Sequence, residues 1–370
     1  MTPATDQTTD QTTDQTTDLP ANALRLPHPA RLILWLVIGF ALAAVGMVAL
    51  PDQPYIRFQT LSQTIHNRVQ WSYERIHFDP TPIDVAVIGN SRMEAGINAP
   101  ALSAALSARL GRRVNVVNLS TPQEGRNMHW VMARELIAAH PEVSLILLSV
   151  IEQEPRVSHP AFRFLASRGD ILAAPLLLNR DWLTDLAALP YRQLSLFVQG
   201  AIPGFFGLSS SFDSARYSGP DDDTTLTFTL PDGRIIDRDT VPPEPALRRA
   251  AEDRIRSIPP PLLPQALADY EFAVERTYTR RIAALAAATD VTVGFVYLPI
   301  YTNDAPIHDR DFYAGFGPVF EARQLTDAAA LFSDYGHLNR VGALALVPWL
   351  ADALTAEIAA GRIVLKPLRD

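Results

Sequence analysis

Two short stretches of this chain hold the residue types that turn a hydroxyl into a nucleophile. In "DVAVIGNSRMEAG", residues 84–96, alternating aliphatics run straight into Gly89-Asn90-Ser91-Arg92. In "DYGHLNRVG", residues 334–342, Asp334 stands three residues before His337. A serine hydroxyl attacks poorly at neutral pH unless a base lies beside it. An imidazole titrates in the right range, and a carboxylate on its other nitrogen fixes the tautomer and stabilises the imidazolium. Ser91, His337 and Asp334 are therefore candidates for nucleophile, general base and orienting carboxylate. Alone, Gly89-Asn90-Ser91 reads equally well as turn chemistry with Ser91 as a helix N-cap. The Asp334/His337 pair at the far end of the chain favours the chemical reading.

These residues need a scaffold that brings chain ends together, and the apolar pattern supplies one. Residues 84–89, 114–120, 143–151 and 291–300 read as strands. Helical patterns cover 99–111, 127–140, 271–289 and 338–361, with Pro348 expected to kink or split the last. Continuous Val/Ile/Leu runs signal strands buried on both faces, as in a parallel sheet flanked by helices. In such sheets ligands bind at the carboxyl ends of the strands. Ser91 falls at that edge, where helix-end amides favour developing negative charge. Residues 155–265 break the alternation; they are Pro-rich, with one hairpin signal at Asp232-Gly233, and read as an insertion over the active edge.

The N-terminal eighty residues divide three ways. Residues 5–18 repeat TDQ/TTD units with nothing apolar to bury, so 1–30 is expected to be a disordered polar tail. Residues 31–50, "RLILWLVIGFALAAVGMVAL", carry no charge after Arg31 and would reach about 28 Å as a helix, the thickness of a bilayer core. An uncleaved anchor fits this length better than a signal peptide. Arg25 and Arg31 on its N-terminal side place the rest of the chain outside, and the Ala- and Arg-rich, Lys-poor composition points to a bacterial inner membrane with a periplasmic domain. Residues 51–80 read as an amphipathic linker helix, leading into an α/β domain over 81–361. Thirty-two basic against 40 acidic residues, with no basic stripe, argue against nucleic-acid binding. The lack of cysteine excludes disulfides and thiolate chemistry, and no metal-ligand spacing or Gly-rich phosphate loop suggests a metal or cofactor.

"IGNSR" near the start of the domain and "DYGHLN" before its last helix resemble the first and last blocks of the SGNH/GDSL hydrolase superfamily. The resemblance covers residues 84–151 and 271–361. It implies a flavodoxin-like three-layer α/β/α sandwich, with Ser91 as nucleophile, His337 as base and Asp334 as its partner. It implies an oxyanion glycine after the second strand, for which Gly125 stands in about the right place. The family's third-block Gly-x-Asn-Asp is missing: the third strand runs into "SVIEQEP", where Gln153 could donate in place of the asparagine and Glu152 could point away. Asn90 and Arg92, flanking the serine, are further candidates for oxyanion or substrate contact; otherwise Arg92 is a solvated residue at a helix start. His129 and His140 read as structural, and His308 sits in a polar loop able to line the site. The anchored arrangement resembles the membrane-tethered branch that adds or removes O-acetyl groups on exported polysaccharides. The expectation is an esterase or O-acyltransferase acting on acylated envelope carbohydrate. The alternative is a silent carbohydrate-binding or scaffold protein that meets an envelope partner through the insertion.

Overall fold

The computed structural model describes residues 29–174 and 181–367. The polar repeat at 5–18 lies outside them. The chain forms two units, Met1–Gly46 and Met47–Asp370. What is described of the first belongs to α1, Pro29–Ala49, a 21-residue helix with no buried residue. It is long and apolar enough to cross a membrane.

The second unit is an α/β domain. Its main sheet has five parallel strands: β1 (Val85–Ile88), β2 (Val116–Asn118), β3 (Leu145–Val150), β4 (Thr292–Tyr297) and β5 (Val319–Glu321). They are ordered β2-β1-β3-β4-β5, with Val85 opposite both Val116 and Leu145. The four strands read from the sequence are all present, each a residue or more shorter at its ends. The edge strand β5 escapes periodicity because only Phe320 of its three residues is buried.

Side-chain alternation sorts the core into two layers, one on each face. Ala86, Ile88, Ile146, Leu148, Phe295 and Tyr297 pack with one set of helices; Val85, Val87, Leu145, Leu147 and Val296 pack with the other. On the second face lie α3 (Ala99–Leu110) and the closing helix α8 (Arg340–Ala359); on the first lie α4 (Arg126–Ala139) and α7 (Ala273–Ala287). Helices therefore cover both faces, as a sheet of fully buried strands demands. Helix α8 runs unbroken past Pro348, so the alternative that it splits there does not hold. The bond a proline removes is the one to the carbonyl four residues back, here that of the half-exposed Leu344, where solvent can replace it.

The expected linker helix at 51–80 is instead two short helices, Pro54–Gln59 and Val69–His77, joined by turns. Between them, Thr60 and Thr64 each return a hydroxyl hydrogen bond to a carbonyl three residues back, at 2.7 and 2.8 Å. Phe58, Val69 and Ile76 are buried in the first-face core. Within the insertion, the Asp232-Gly233 turn joins a small antiparallel pair, Phe228–Thr229 with Ile235–Ile236. Two long helices that the sequence reading did not assign also lie there: α5 (Trp182–Ala201) and α6 (Glu244–Ser257).

One buried side chain ties this framework to the serine. The short helix α2 (Ser91–Gly96) follows β1, and Asn118 at the end of β2 donates from Nδ2 to the Met93 and Ile97 carbonyls, each at 3.0 Å. The same amide meets Thr224 Oγ1 from the insertion at 3.2 Å. Asn118→Ala removes the donor to the buried Ile97 carbonyl and one of the two donors to the Met93 carbonyl, so it should lower unfolding free energy by about 1–3 kcal/mol, read by chemical denaturation of the detergent-solubilised chain.

Candidate active site

Ser91 is the first residue of α2, and Asn90 is its N-cap. Asn90 Oδ1 accepts the amides of Arg92 (3.1 Å) and Met93 (3.4 Å), which leaves the Ser91 amide without a partner among the described residues. Gly89 makes this tight exit from β1 possible. A Cβ there would stand 2.5 Å from Met93 Cγ and 3.0 Å from Ser149 Cβ, so no larger residue fits without a shift. The Ser91 side chain is half-buried.

His337 arrives from the other end of the chain on the turn before α8. Its Nε2 is 2.8 Å from Ser91 Oγ, and its Nδ1 is 2.8 Å from each carboxylate oxygen of Asp334. With the carboxylate accepting from Nδ1–H, Nε2 is left to accept the serine proton. The turn is held from several sides. Asp334 Oδ1 also accepts the amides of Gly336 (2.8 Å) and His337 (3.0 Å), and the Ser333 amide donates to the His337 carbonyl at 2.9 Å. Asn339 caps α8 by accepting from the Gly342 amide at 2.8 Å. Burial works to raise the Asp334 carboxyl, but the hydrogen bond and charge of His337 and the two amides outweigh it and hold it below the usual carboxylate range. It is ionised wherever it must serve the histidine.

The segment that follows β2 supplies the second candidate donor. Gly125 has φ of +146°, and a Cβ there would lie 2.3 Å from the His159 amide nitrogen, so only glycine is accommodated. It faces the same small cavity as Asn90, and its amide has no partner among the described residues. Gln123, two residues earlier, also holds positive φ, +76°, the kind of backbone strain that clusters at functional sites.

After β3, the chain contributes to a buried ion pair. Glu152 Oε1 meets Arg92 Nη1 at 2.5 Å, and both side chains are buried. Arg92 Nη1 also donates to the Leu298 carbonyl at 3.3 Å. Arg92 is thus neither a solvated helix-start residue nor a free substrate cation; its guanidinium is consumed by the sheet edge. Gln153 is buried and lines a groove of about 430 Å³ together with Glu124, Glu154, Arg156, Arg254 and Ile258. Burial first, then its crowding with Glu275 and Asp309, pushes the Glu154 carboxyl up to about 8 against the pull of Arg276. Arg254 and Ile258 come from α6 and its end, so the insertion forms one wall of the groove beside Glu152.

Other residues fall away from the chemistry. His129 is buried and its Nδ1 meets Arg126 at 3.0 Å; burial and then the Arg126 charge hold it well below the usual histidine range. His140 is held by Glu142 at 2.7 Å and the Ile76 carbonyl at 2.9 Å, not by a helix end alone. His308 packs on Phe272 and stands 3.8 Å from Glu154, outside the triad. Two features escaped sequence reasoning: the Arg92–Glu152 pair, and a buried Arg126–Glu275 pair at 2.5 Å beneath the Asn90/Gly125 cavity. A charged residue in an apolar context was the available signal, but its partner lay 60 or 149 positions away.

The chain matches no protein-family model and no curated protein sequence. The Arg92–Glu152 pair makes its own prediction. Arg92→Met alone leaves a buried carboxylate uncompensated and should cost about 3–5 kcal/mol, whereas Arg92→Met with Glu152→Met should recover most of it in a double-mutant cycle.

Proposed function

We propose that this protein is an SGNH-like serine esterase or O-acyltransferase, with a three-layer flavodoxin-like domain held by α1 at the outer face of a bacterial inner membrane. The observation that carries the reading is the continuous hydrogen-bonded chain Ser91 Oγ–His337 Nε2–Nδ1–Asp334. A serine hydroxyl with a tautomer-fixed imidazole behind it is the apparatus of acyl transfer. The sheet order β2-β1-β3-β4-β5 supports the fold, with Ser91 emerging at the reversal between β1 and β3 where such sheets bind ligands.

In this mechanism His337 Nε2 takes the Ser91 proton as Oγ attacks the acyl carbonyl. The unpartnered amides of Ser91 and Gly125 receive the oxyanion. Collapse breaks the ester bond, and His337 returns the proton to the departing alcohol, leaving an acyl-serine. The imidazole then deprotonates water or a sugar hydroxyl, which attacks the acyl carbon and frees Ser91. Asp334 keeps the ring oriented and stabilises its cationic form at each proton transfer. The groove of about 430 Å³, with carboxylates and arginines along its wall, suits a hydroxyl-rich substrate such as an O-acetylated polysaccharide.

A fluorophosphonate probe should label the wild-type chain at Ser91 and leave Ser91→Ala unlabelled. Asp334→Asn should slow labelling by roughly 10³–10⁴-fold through loss of the correct tautomer. Hydrolysis and transfer separate on acyl release from a chromogenic acetyl ester: an added oligosaccharide acceptor accelerates release and becomes acetylated only if the protein is a transferase. An unlabelled wild type would leave the silent carbohydrate-binding alternative standing.

A further inference from the structure

Helix α5, Trp182–Ala201, is built inside out. Its charged residues and Gln193 point into the domain, while the polar residues on its outer side are the uncharged Thr184 and Tyr191. Asp185 is buried and pairs with Arg163 at 3.1 Å, Arg192 donates to the Ala166 carbonyl at 2.5 Å, and the fully buried Gln193 donates to Leu50 and Asp52. Its outward face carries no charged residue at all. Leu183, Leu194, Phe197 and Val198 fall on one stripe of the helix and are exposed, Leu183 at 69%. The same apolar surface continues past the helix end through Ile202 and Phe205, the latter 82% exposed. A helix that meets water does the reverse, and a contiguous apolar stripe of this length, about 30 Å, marks an interaction face.

The chain itself indicates what covers it. Gln193 Nε2 holds the Leu50 carbonyl at 3.1 Å and Asp52 Oδ1 at 3.3 Å, and the Gly200 backbone packs beside the Gln53 side chain. Arg168 Nη1 donates to the carbonyls of Val48, Ala49 and Leu50, at 3.2, 3.0 and 3.2 Å. Residues 48–53 are the last of α1 and the first beyond it. If α1 spans the bilayer, they sit at its surface, and α5, hydrogen-bonded to them through Gln193, is held close to that surface.

We propose that α5 and the Ile202–Phe206 turn form an interfacial membrane platform, with the apolar stripe sunk into the lipid at the boundary of headgroups and acyl chains. The platform rests on the reading of α1 as a membrane span. The partner is the lipid bilayer: the stripe offers apolar area with no charge to pair, which matches acyl chains. Its polar side, which in a free interfacial helix would face water, is occupied by the domain. The domain is then held against the membrane at a second point, which restricts its rotation about the tether.

The absence of cysteine from the chain makes the test direct. The full-length protein, reconstituted at low density in phosphatidylcholine vesicles, is labelled with bimane at single sites: Leu194→Cys or Phe205→Cys on the stripe, Leu42→Cys in α1, and Asp253→Cys on α6 as a water-exposed reference. Unchanged melting screens out variants that fail to fold, and the two stripe positions serve as independent reporters. The expected result is a blue-shifted emission at 194 and 205, quenched by lipids carrying a nitroxide near the headgroup, with the reference label unaffected. Emission at both stripe sites equal to the reference, while the 42 label is quenched, overturns the platform and leaves the span intact. Shielding at 194 and 205 without lipid quenching also overturns it and assigns the stripe to a second copy. A water-exposed label at 42 removes the span and the platform together.

Discussion

The hydrogen bond between Ser91 Oγ and His337 Nε2 joins residues 246 positions apart, and most of the domain's architecture is what makes it possible. Neither side chain has a local reason to find the other. β1 must sit between β2 and β3 so that its exit opens at the reversal of strand order, and α8 must begin at the same edge so that its N-terminal turn delivers the imidazole. Parallel strands impose this, because each one ends at the same rim and each helix returns the chain across a face. Gly89 and Gly125 mark where that convergence is tightest: in both places a Cβ would collide with a neighbouring segment.

The triad was legible because its members are encoded locally. Ser91 follows an apolar run that can only be a strand, and Asp334 and His337 share one turn, so short-range spacing carries their relationship. The buried ion pairs were not legible. Arg92 beside the serine and Glu152 after β3 each read as surface residues or as substrate contacts, and only the register of β1 against β3 brings them together. The same limit applies to residues 51–80, whose apolar pattern does not show the turns between Pro54–Gln59 and Val69–His77. Helix α5 was missed for a different reason. Its apolar face points outward, so it has the composition of a core helix and the placement of a surface one.

The Arg92–Glu152 pair is part of how the rim beside Ser91 is held together. A carboxylate cannot donate, and left unpaired beside the serine it would oppose the negative charge that develops in acyl transfer. Arg92 cancels that opposition and ties α2 to β3 and to the Leu298 carbonyl after β4. The pair therefore belongs to the scaffold beside Ser91, and in the proposed acyl transfer the oxyanion would be left to the backbone amides of Ser91 and Gly125.

That division bears on which acyl acceptor the site favours. Two backbone donors stabilise the tetrahedral state less than three, so more of the barrier must be lowered by positioning the acceptor. Water gains little from a positioning groove, whereas a sugar hydroxyl presented by a bound chain gains a great deal. The groove has one wall from the loop after β3 and another from α6 in the insertion. The insertion is also tied to the helix that carries the nucleophile: Thr224 Oγ1 donates to the Glu94 carbonyl at 2.5 Å, and Arg238 stands 3.8 Å from the Glu94 carboxylate. The insertion thus reaches both the groove and the short helix that begins at Ser91.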